Sequence, residues 1–218
     1  MRVFSRFLSF FAIWLLHSEW GALQRKLAKF ISAQEGGSYD PPIFAQQLLI
    51  SGEDHRFFRH GGIDLIAVCR AIWRRVTIGR REGASTIEMQ IVRVVSGRYE
   101  STLRRKLREM ALATLLTRFV PKEQLPALYL RIGYYGWRMN GFKEACQRLR
   151  SSADSLMPTE TARLVARLKY PQPRQNNLFR RDQINIRGEH LLRLYARHQS
   201  EKTYLRLNAP IITPYETI

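Results

Sequence analysis

The sequence predicts a mainly α fold. Apolar residues recur every three or four positions in several long windows, breaker clusters separate those windows, and no run alternates apolar and polar residues as a strand would. No internal repeat interrupts this pattern.

The elements follow in chain order. Phe7 to Leu16 is a ten-residue apolar run behind Arg2 and Arg6. It is short for a spanning helix, which takes about 20 apolar residues. Extension through Trp20, Ala22 and Leu23 crosses His17 and Glu19. The run reads as a signal-peptide core without a clear Ala-x-Ala site, as an imperfect anchor with its positive end inside, or as an interfacial or buried helix. Membrane attachment is the favoured reading. Residues 35–42 are a breaker cluster and mark a boundary. Helices are expected from Ile43 to Ile50 and from Asp64 to Val76, the latter with an apolar stripe at 65, 66, 68, 69, 72, 73 and 76. Gly79 to Ala84 is a charged turn. Ser85 is placed to cap a helix from Thr86 to about Val95. Further helices are expected over Thr102–Arg118, Glu123–Ile132, Pro158–Leu168 and Gln183–His198.

Composition excludes some classes. The chain has 218 residues, 45% of them apolar, enough to build one core and too many for a disordered tail. Its two cysteines, Cys69 and Cys146, make no disulfide framework and no zinc spacing, and they read as small buried residues. A disulfide between them is open to an oxidising compartment. Neither GxGxxG nor GxxxxGK[ST] occurs. The net charge is +18, and arginines outnumber lysines 29 to 7. Guanidinium grips phosphate bidentately, so a folded basic surface points to polyanions: nucleic acid, anionic headgroups or a phosphate-bearing substrate. A solvated basic surface without a partner explains the charge equally well.

Three blocks carry the chemistry. Glu53 to Asp64 (EDHRFFRHGGID) sets two adjacent carboxylates beside aromatic rings and a histidine. A carboxylate desolvated against aromatics can act as a base, although such pairs commonly cap helices or sit in solvent. Gly83 to Arg93 (GASTIEMQIVR) places two hydroxyls at a helix start, where free N–H groups bind anions. An ordinary N-cap is the simpler reading. Arg104 to Glu109 (RRKLRE) puts Arg105 and Glu109 on one helical face at i and i+4. Such a cluster can hold a diphosphate, or be no more than a solvated ion pair.

Taken in order, the three blocks resemble the family 51 glycosyltransferases, the peptidoglycan transglycosylases. Glu53 to Asp64 keeps every position of the family's EDxxFxxHxGxD. Gly83 to Gln90 is similar to its GGSTITQQ, with Ala84, Glu88 and Met89 as departures. Arg105, Lys106 and Glu109 match its RKxxE. Leu125 to Leu130 and Leu156 to Pro173 resemble later blocks. The resemblance covers residues 42–175, leaves no space in this sequence for a transpeptidase domain, and divides the chain into an anchor and linker (1–34) and a transglycosylase domain (35–218).

The resemblance implies a lysozyme-like helical lobe with a small membrane-associated jaw, at the periplasmic face of the bacterial inner membrane. It implies polymerisation of lipid II into β-1,4 glycan with inversion and release of undecaprenyl diphosphate. Glu53 would be the base and Glu109 the second carboxylate. Asp54, Phe57, His60, Ser85, Thr86, Gln90, Arg93, Arg105 and Lys106 would bind substrate, with Arg93, Arg105 and Lys106 neutralising diphosphate. No cofactor is required and no residue is assigned to a metal, although Mg²⁺ or Mn²⁺ on the diphosphate is chemically sensible. Lipid II, the growing glycan, an anionic membrane surface and other cell-wall synthesis proteins are the implied partners; nucleic acid is not.

Several groove positions depart from the family. Met89 replaces Gln, Glu88 adds a negative charge, Val94 stands for Asn, and Ser101 stands for an Arg for which Arg98 or Arg104 can substitute. Arg131 replaces Asn, and Gly136-Trp137-Arg138 departs from the usual G-x-G. These changes leave open a catalytically impaired relative that binds lipid II or membrane. A muramidase and a nucleic-acid-binding protein are further alternatives.

Overall fold

The computed structural model describes residues 16–32, 40–79, 83–149, 156–201 and 203–208. The apolar run before Leu16, the boundary cluster through Tyr39, and Arg80 to Glu82 of the charged turn lie outside them. The fold is mainly α. Its helices are α1 (His17–Ser32), α2 (Ile43–Glu53), α3 (Leu65–Ile78), α4 (Ile87–Ser96), α5 (Leu103–Phe119), α6 (Leu125–Ile132), α7 (Phe142–Arg148), α8 (Pro158–Ala166) and α9 (Leu178–Ser200).

The core forms where α2, α4, α5 and α6 meet. Leu48, Leu49 and Ile50 of α2 are fully buried, as are Ile87, Met89 and Ile91 of α4. Each such side chain stabilises the fold by about 1.5–3 kcal/mol relative to exposure. α9 lies across α8 and α2. The crossing with α2 is close because residue 52 is Gly: a Cβ there would collide with Leu191 and meet Arg187. Gly188 allows the same approach to Arg163 of α8. α1 packs against α4 through buried Leu23 and Leu27, and Trp20 meets Phe119 edge-on at 5.8 Å.

The structure corrects several expectations. α2 runs past Ile50 to Glu53, which places the candidate base on the last helical residue. Thr86, not Ser85, caps α4: its hydroxyl accepts from the Met89 N–H at 3.3 Å, a contact worth about 1 kcal/mol. α9 begins before Gln183 because Asn177 caps it, accepting from the Arg180 N–H at 2.9 Å. A short hairpin was not foreseen: β1 (Tyr134–Gly136) pairs antiparallel with β2 (Met139–Asn140). Strands this short carry no legible alternation, and Gly136, at φ 139°, lets the backbone of Gln172 lie against it.

The apolar stripe of α3 exists but does not face the core. Asp64 caps the helix, accepting from the Ile66 and Ala67 N–H groups, yet no residue of α3 is buried. Ile72, Trp73 and Val76 are more than half exposed. For the same reason Cys69, expected to be buried, is exposed; Cys146 is buried, and both are free thiols. Among the described residues no helix is long and apolar enough to cross a membrane.

Candidate active site

The first block splits into one presented carboxylate and a buried scaffold. Asp54 turns inward, where its oxygens meet His60 Nε2 at 3.0 and 3.1 Å and accept from the Ile87 N–H at 3.3 Å. It therefore ties the Glu53 loop to the start of α4. Thr86 adds a second tie by donating to the Gly62 carbonyl at 2.7 Å. Gly62, at φ 94°, sits against the backbone of α5 at Ala113, where a Cβ would collide. Phe57 is fully buried, with the Lys122 ammonium 4.3 Å from its ring centroid. Asp54, Phe57, His60 and Thr86, all singled out as substrate-binding, are thus buried and spend their side chains on scaffold. His60 makes a structural hydrogen bond, to Asp54.

Glu53 points the other way. Its Oε2 accepts from Gln90 Nε2 at 3.2 Å and its Oε1 from Arg187 Nη2 at 3.0 Å; the same Nη2 donates to the Gly52 carbonyl at 2.7 Å. The expected packing of this carboxylate against aromatics is not what the structure holds: an amide and a guanidinium flank it. It lines a polar cleft of about 420 Å³ together with Gly52, Arg70 and Arg74.

The second and third blocks build one cluster around Glu109, which is buried. Arg93 Nε and Nη2 donate to its two oxygens at 2.8 and 3.1 Å, and Arg105 Nη1 donates to Oε1 from one turn back. Ser85 Oγ receives Lys106 Nζ at 2.6 Å and Arg93 Nη2 at 3.4 Å. Three cations thus surround one carboxylate and one hydroxyl, leaving a local excess of positive charge. The Glu109 hydrogen bond holds the Arg93 pKa above its ordinary value. Burial first, then Arg93 and Arg105, push the Lys106 pKa down, against the pull of Glu109. Arg105 and Glu109 line a cavity of about 650 Å³ between α1, α4 and α5, with Arg98 and Arg104 also on its wall and Leu23, Val92 and Leu112 supplying apolar surface. Glu19 of α1 already pairs with Arg98 at 3.1 Å and Arg108 at 3.6 Å in that cavity.

One helix organises both carboxylates. Gln90 and Arg93 are i and i+3 on α4, so they lie side by side on its surface, about 5–6 Å apart at Cβ. Gln90 holds Glu53 and Arg93 holds Glu109. Tyr129 of α6 belongs to the same region: it is buried, and its pKa is raised first by burial, then by the Glu53 carboxylate, while Arg93 opposes.

The departures read differently in three dimensions. Met89 is fully buried in the core and lines no groove. Glu88 is also fully buried, with Lys122 Nζ 2.5 Å from its Oε1, so it adds no charge to the substrate side. Arg131 pairs with Asp40. Sequence reasoning missed Arg187 and Tyr129. Arg187 lies beyond the motif-bearing stretch, in a polar helix with no signal of its own; Tyr129 sits in the weakly similar fourth block. Among the described residues, Asp54, His60 and Glu88 bring donor atoms within 4.8 Å of one another. Lys122 already supplies a positive charge there.

Comparison with known proteins adds an independent finding. A family model described as transglycosylase matches residues 26–194. Penicillin-binding protein 1A of Rickettsia felis is 34% identical over 127 residues, 56% of this chain and 16% of that protein. Penicillin-binding protein 1A of Neisseria gonorrhoeae is 31% identical over 155 residues, 70% of this chain and 19% of that protein. The chain spans less than a fifth of the length of these relatives.

Proposed function

The chain belongs to the transglycosylase family, and from that premise we propose that it is a peptidoglycan glycosyltransferase that polymerises lipid II. The observation that supports this most is the presentation of two carboxylates by neighbouring residues of α4, one opening to a polar cleft and the other set in a cationic cluster.

In this reading the acceptor sugar occupies the Glu53 cleft. Its 4-hydroxyl attacks the anomeric carbon of the donor, the new C–O bond forms on the face opposite the leaving group, and the configuration inverts. Glu53 takes the hydroxyl proton. The bond from the anomeric carbon to the diphosphate oxygen breaks, and undecaprenyl diphosphate leaves with the electron pair. Arg93, Arg105 and Lys106 stabilise that developing charge, and Glu109 keeps the three cations together. Ser85 and Gln90 complete the groove. Asp54, Phe57, His60 and Thr86 act as positioning residues that hold Glu53 against α4. Both Glu109 oxygens already accept from guanidinium groups, so the residues present do not offer a divalent cation an open carboxylate there, and no step of this reading runs through a metal.

In this reading α1 belongs with the catalytic domain, since Leu23 and Leu27 are buried against α4 and Glu19 lines the Glu109 cavity. The apolar run before it attaches that domain to the membrane, with the reaction at the periplasmic face of the inner membrane, where other cell-wall synthesis proteins can meet it. The exposed apolar face of α3, with Ile72, Trp73 and Val76 beside Arg70, Arg74 and Arg75, suits an anionic membrane surface. The cationic cluster favours a diphosphate donor over the uncharged bond a muramidase cleaves. One observation favours the second reading, a lipid II-binding relative without activity: Arg187 already donates to Glu53, the side chain assigned to take the acceptor's proton.

Polymerisation of purified lipid II by the wild type and Glu53→Gln tests the proposal. Glycan from the wild type and none from the variant supports the transferase. Lipid II binding without glycan from either protein overturns it and leaves the binding relative.

A further inference from the structure

Trp137 lies in the turn between β1 and β2 and lines neither the Glu53 cleft nor the Glu109 cavity. Three guanidinium groups from three chain segments lie over its ring. Arg148 at the end of α7 lies 4.5 Å from the ring centroid, Arg138 of the turn itself 4.7 Å, and Arg174 of the loop before α9 5.3 Å. Arg138, Arg148 and Arg174 are all exposed. Among the described residues no carboxylate forms an ion pair with any of the three.

This arrangement is not what folding alone favours. All three charges lie within 5.3 Å of one ring centroid, so they stand within roughly one Debye length of each other, about 10 Å at 0.1 M salt, and repel. Arg138 also has φ 56°, a left-handed conformation that favours glycine. The chain holds an arginine where backbone strain disfavours it, and aims that arginine at the ring two other arginines share. A guanidinium held over the indole by its charge still has N–H groups to offer an oxyanion. A single carboxylate cannot balance three cations, whereas a phosphate or diphosphate comes closer and accepts several of those N–H groups.

We propose that Trp137, Arg138, Arg148 and Arg174 form a phosphate-binding site separate from the Glu109 cluster. Its ligand is the phosphate of a lipid headgroup or of a soluble phosphate compound. The full chain, labelled with ¹⁵N at its tryptophan indoles, is titrated with inorganic pyrophosphate while the Trp137 Nε1–H signal, assigned with Trp137→Phe, is followed. Binding shifts that signal, and each of Arg138→Gly, Arg148→Gln and Arg174→Gln weakens the binding about tenfold. Arg138→Gly keeps the fold intact, because glycine suits that backbone; an unfolding midpoint at or above the wild type verifies this. A second arm measures co-sedimentation with vesicles of phosphatidylglycerol or phosphatidylcholine. Phosphatidylglycerol binding that falls in the triple variant supports the site and assigns a headgroup as the source. A pyrophosphate shift without that loss supports it and assigns a soluble phosphate. A Trp137 shift that persists in the triple variant overturns the proposal, as does the absence of both the shift and any arginine-dependent vesicle binding.

Discussion

Glu53 and Glu109 are both held from α4, by Gln90 and Arg93 one turn apart on its surface, but they are held in different ways. Glu53 has about a quarter of its side chain exposed (24%), and it has one amide and one guanidinium as partners, the latter from a late helix. Glu109 is 3% exposed and lies between two guanidinium groups, with Lys106 close by. A partly solvated carboxylate is open to an incoming hydroxyl group. A buried carboxylate bonded to two arginines keeps cations gathered that would otherwise repel. Two glutamates from the same set of motifs thus differ in burial and in the number of cations on them, and the proposed mechanism gives them different roles on that ground: Glu53 as proton acceptor, Glu109 as organiser of positive charge.

Four substitutions sharpen or break this contrast. Glu53→Gln should lower the polymerisation rate about 10²–10⁴-fold while leaving the thermal unfolding midpoint near that of the wild type, since general-base catalysis is what it removes. A large loss of stability would make Glu53 structural instead. Glu109→Gln should lose activity and also destabilise the fold by about 3 kcal/mol, because breaking a buried pair leaves cations uncompensated; denaturant unfolding reads this directly. An unchanged midpoint would erase the distinction between the two carboxylates.

Lys106 offers a pH test of the same cluster. Its folded pKa lies below the ordinary lysine value of 10.5, through burial first and its arginine neighbours next. Between the lowered value and 10.5 the unfolded chain binds more protons than the folded one, so stability rises with pH across that window relative to Lys106→Met. Pyrophosphate affinity at the Glu109 cluster should fall over the same window as the lysine loses its charge. Unfolding curves at several alkaline pH values check the sign, and a slope that falls with pH refutes it. The smallest effect belongs to Arg187→Gln, which should cost roughly 1 kcal/mol of stability through its bonds to Gly52 and Glu53. It should leave polymerisation within a few-fold of wild type if Arg187 only parks the base. A loss as large as that of Glu53→Gln would make Arg187 part of the chemistry.

Much of this molecule was legible along the chain. The periods of α2, α4, α5 and α8 announced themselves, because a core-facing helix must place apolar residues every three or four positions. The pairing of Arg105 with Glu109 followed from helical spacing alone. The three ordered blocks carried the family, and Glu53, Ser85, Gln90, Arg93, Arg105, Lys106 and Glu109 all lie in one region.

Tertiary structure decided the rest. Which member of Glu53-Asp54 turns outward depends on where α2 ends and on His60 waiting beneath it, neither of which a dipeptide reveals. Whether Met89 and Glu88 disturb the groove depends on which face of α4 is covered; both face the core, and Glu88 finds Lys122 there. The stripe on α3 shows the limit most clearly. Periodicity states that a helix has an apolar face, but only packing determines whether protein covers it, and among the described residues none buries the face of α3. Arg187 reaches Glu53 from a helix far along the chain because Gly52 lets that helix approach. Sequence determined the local periods and the chemical groups available, since both are properties of neighbouring residues. The pairing of those groups arose from contacts between distant segments, which only the packed chain can bring together.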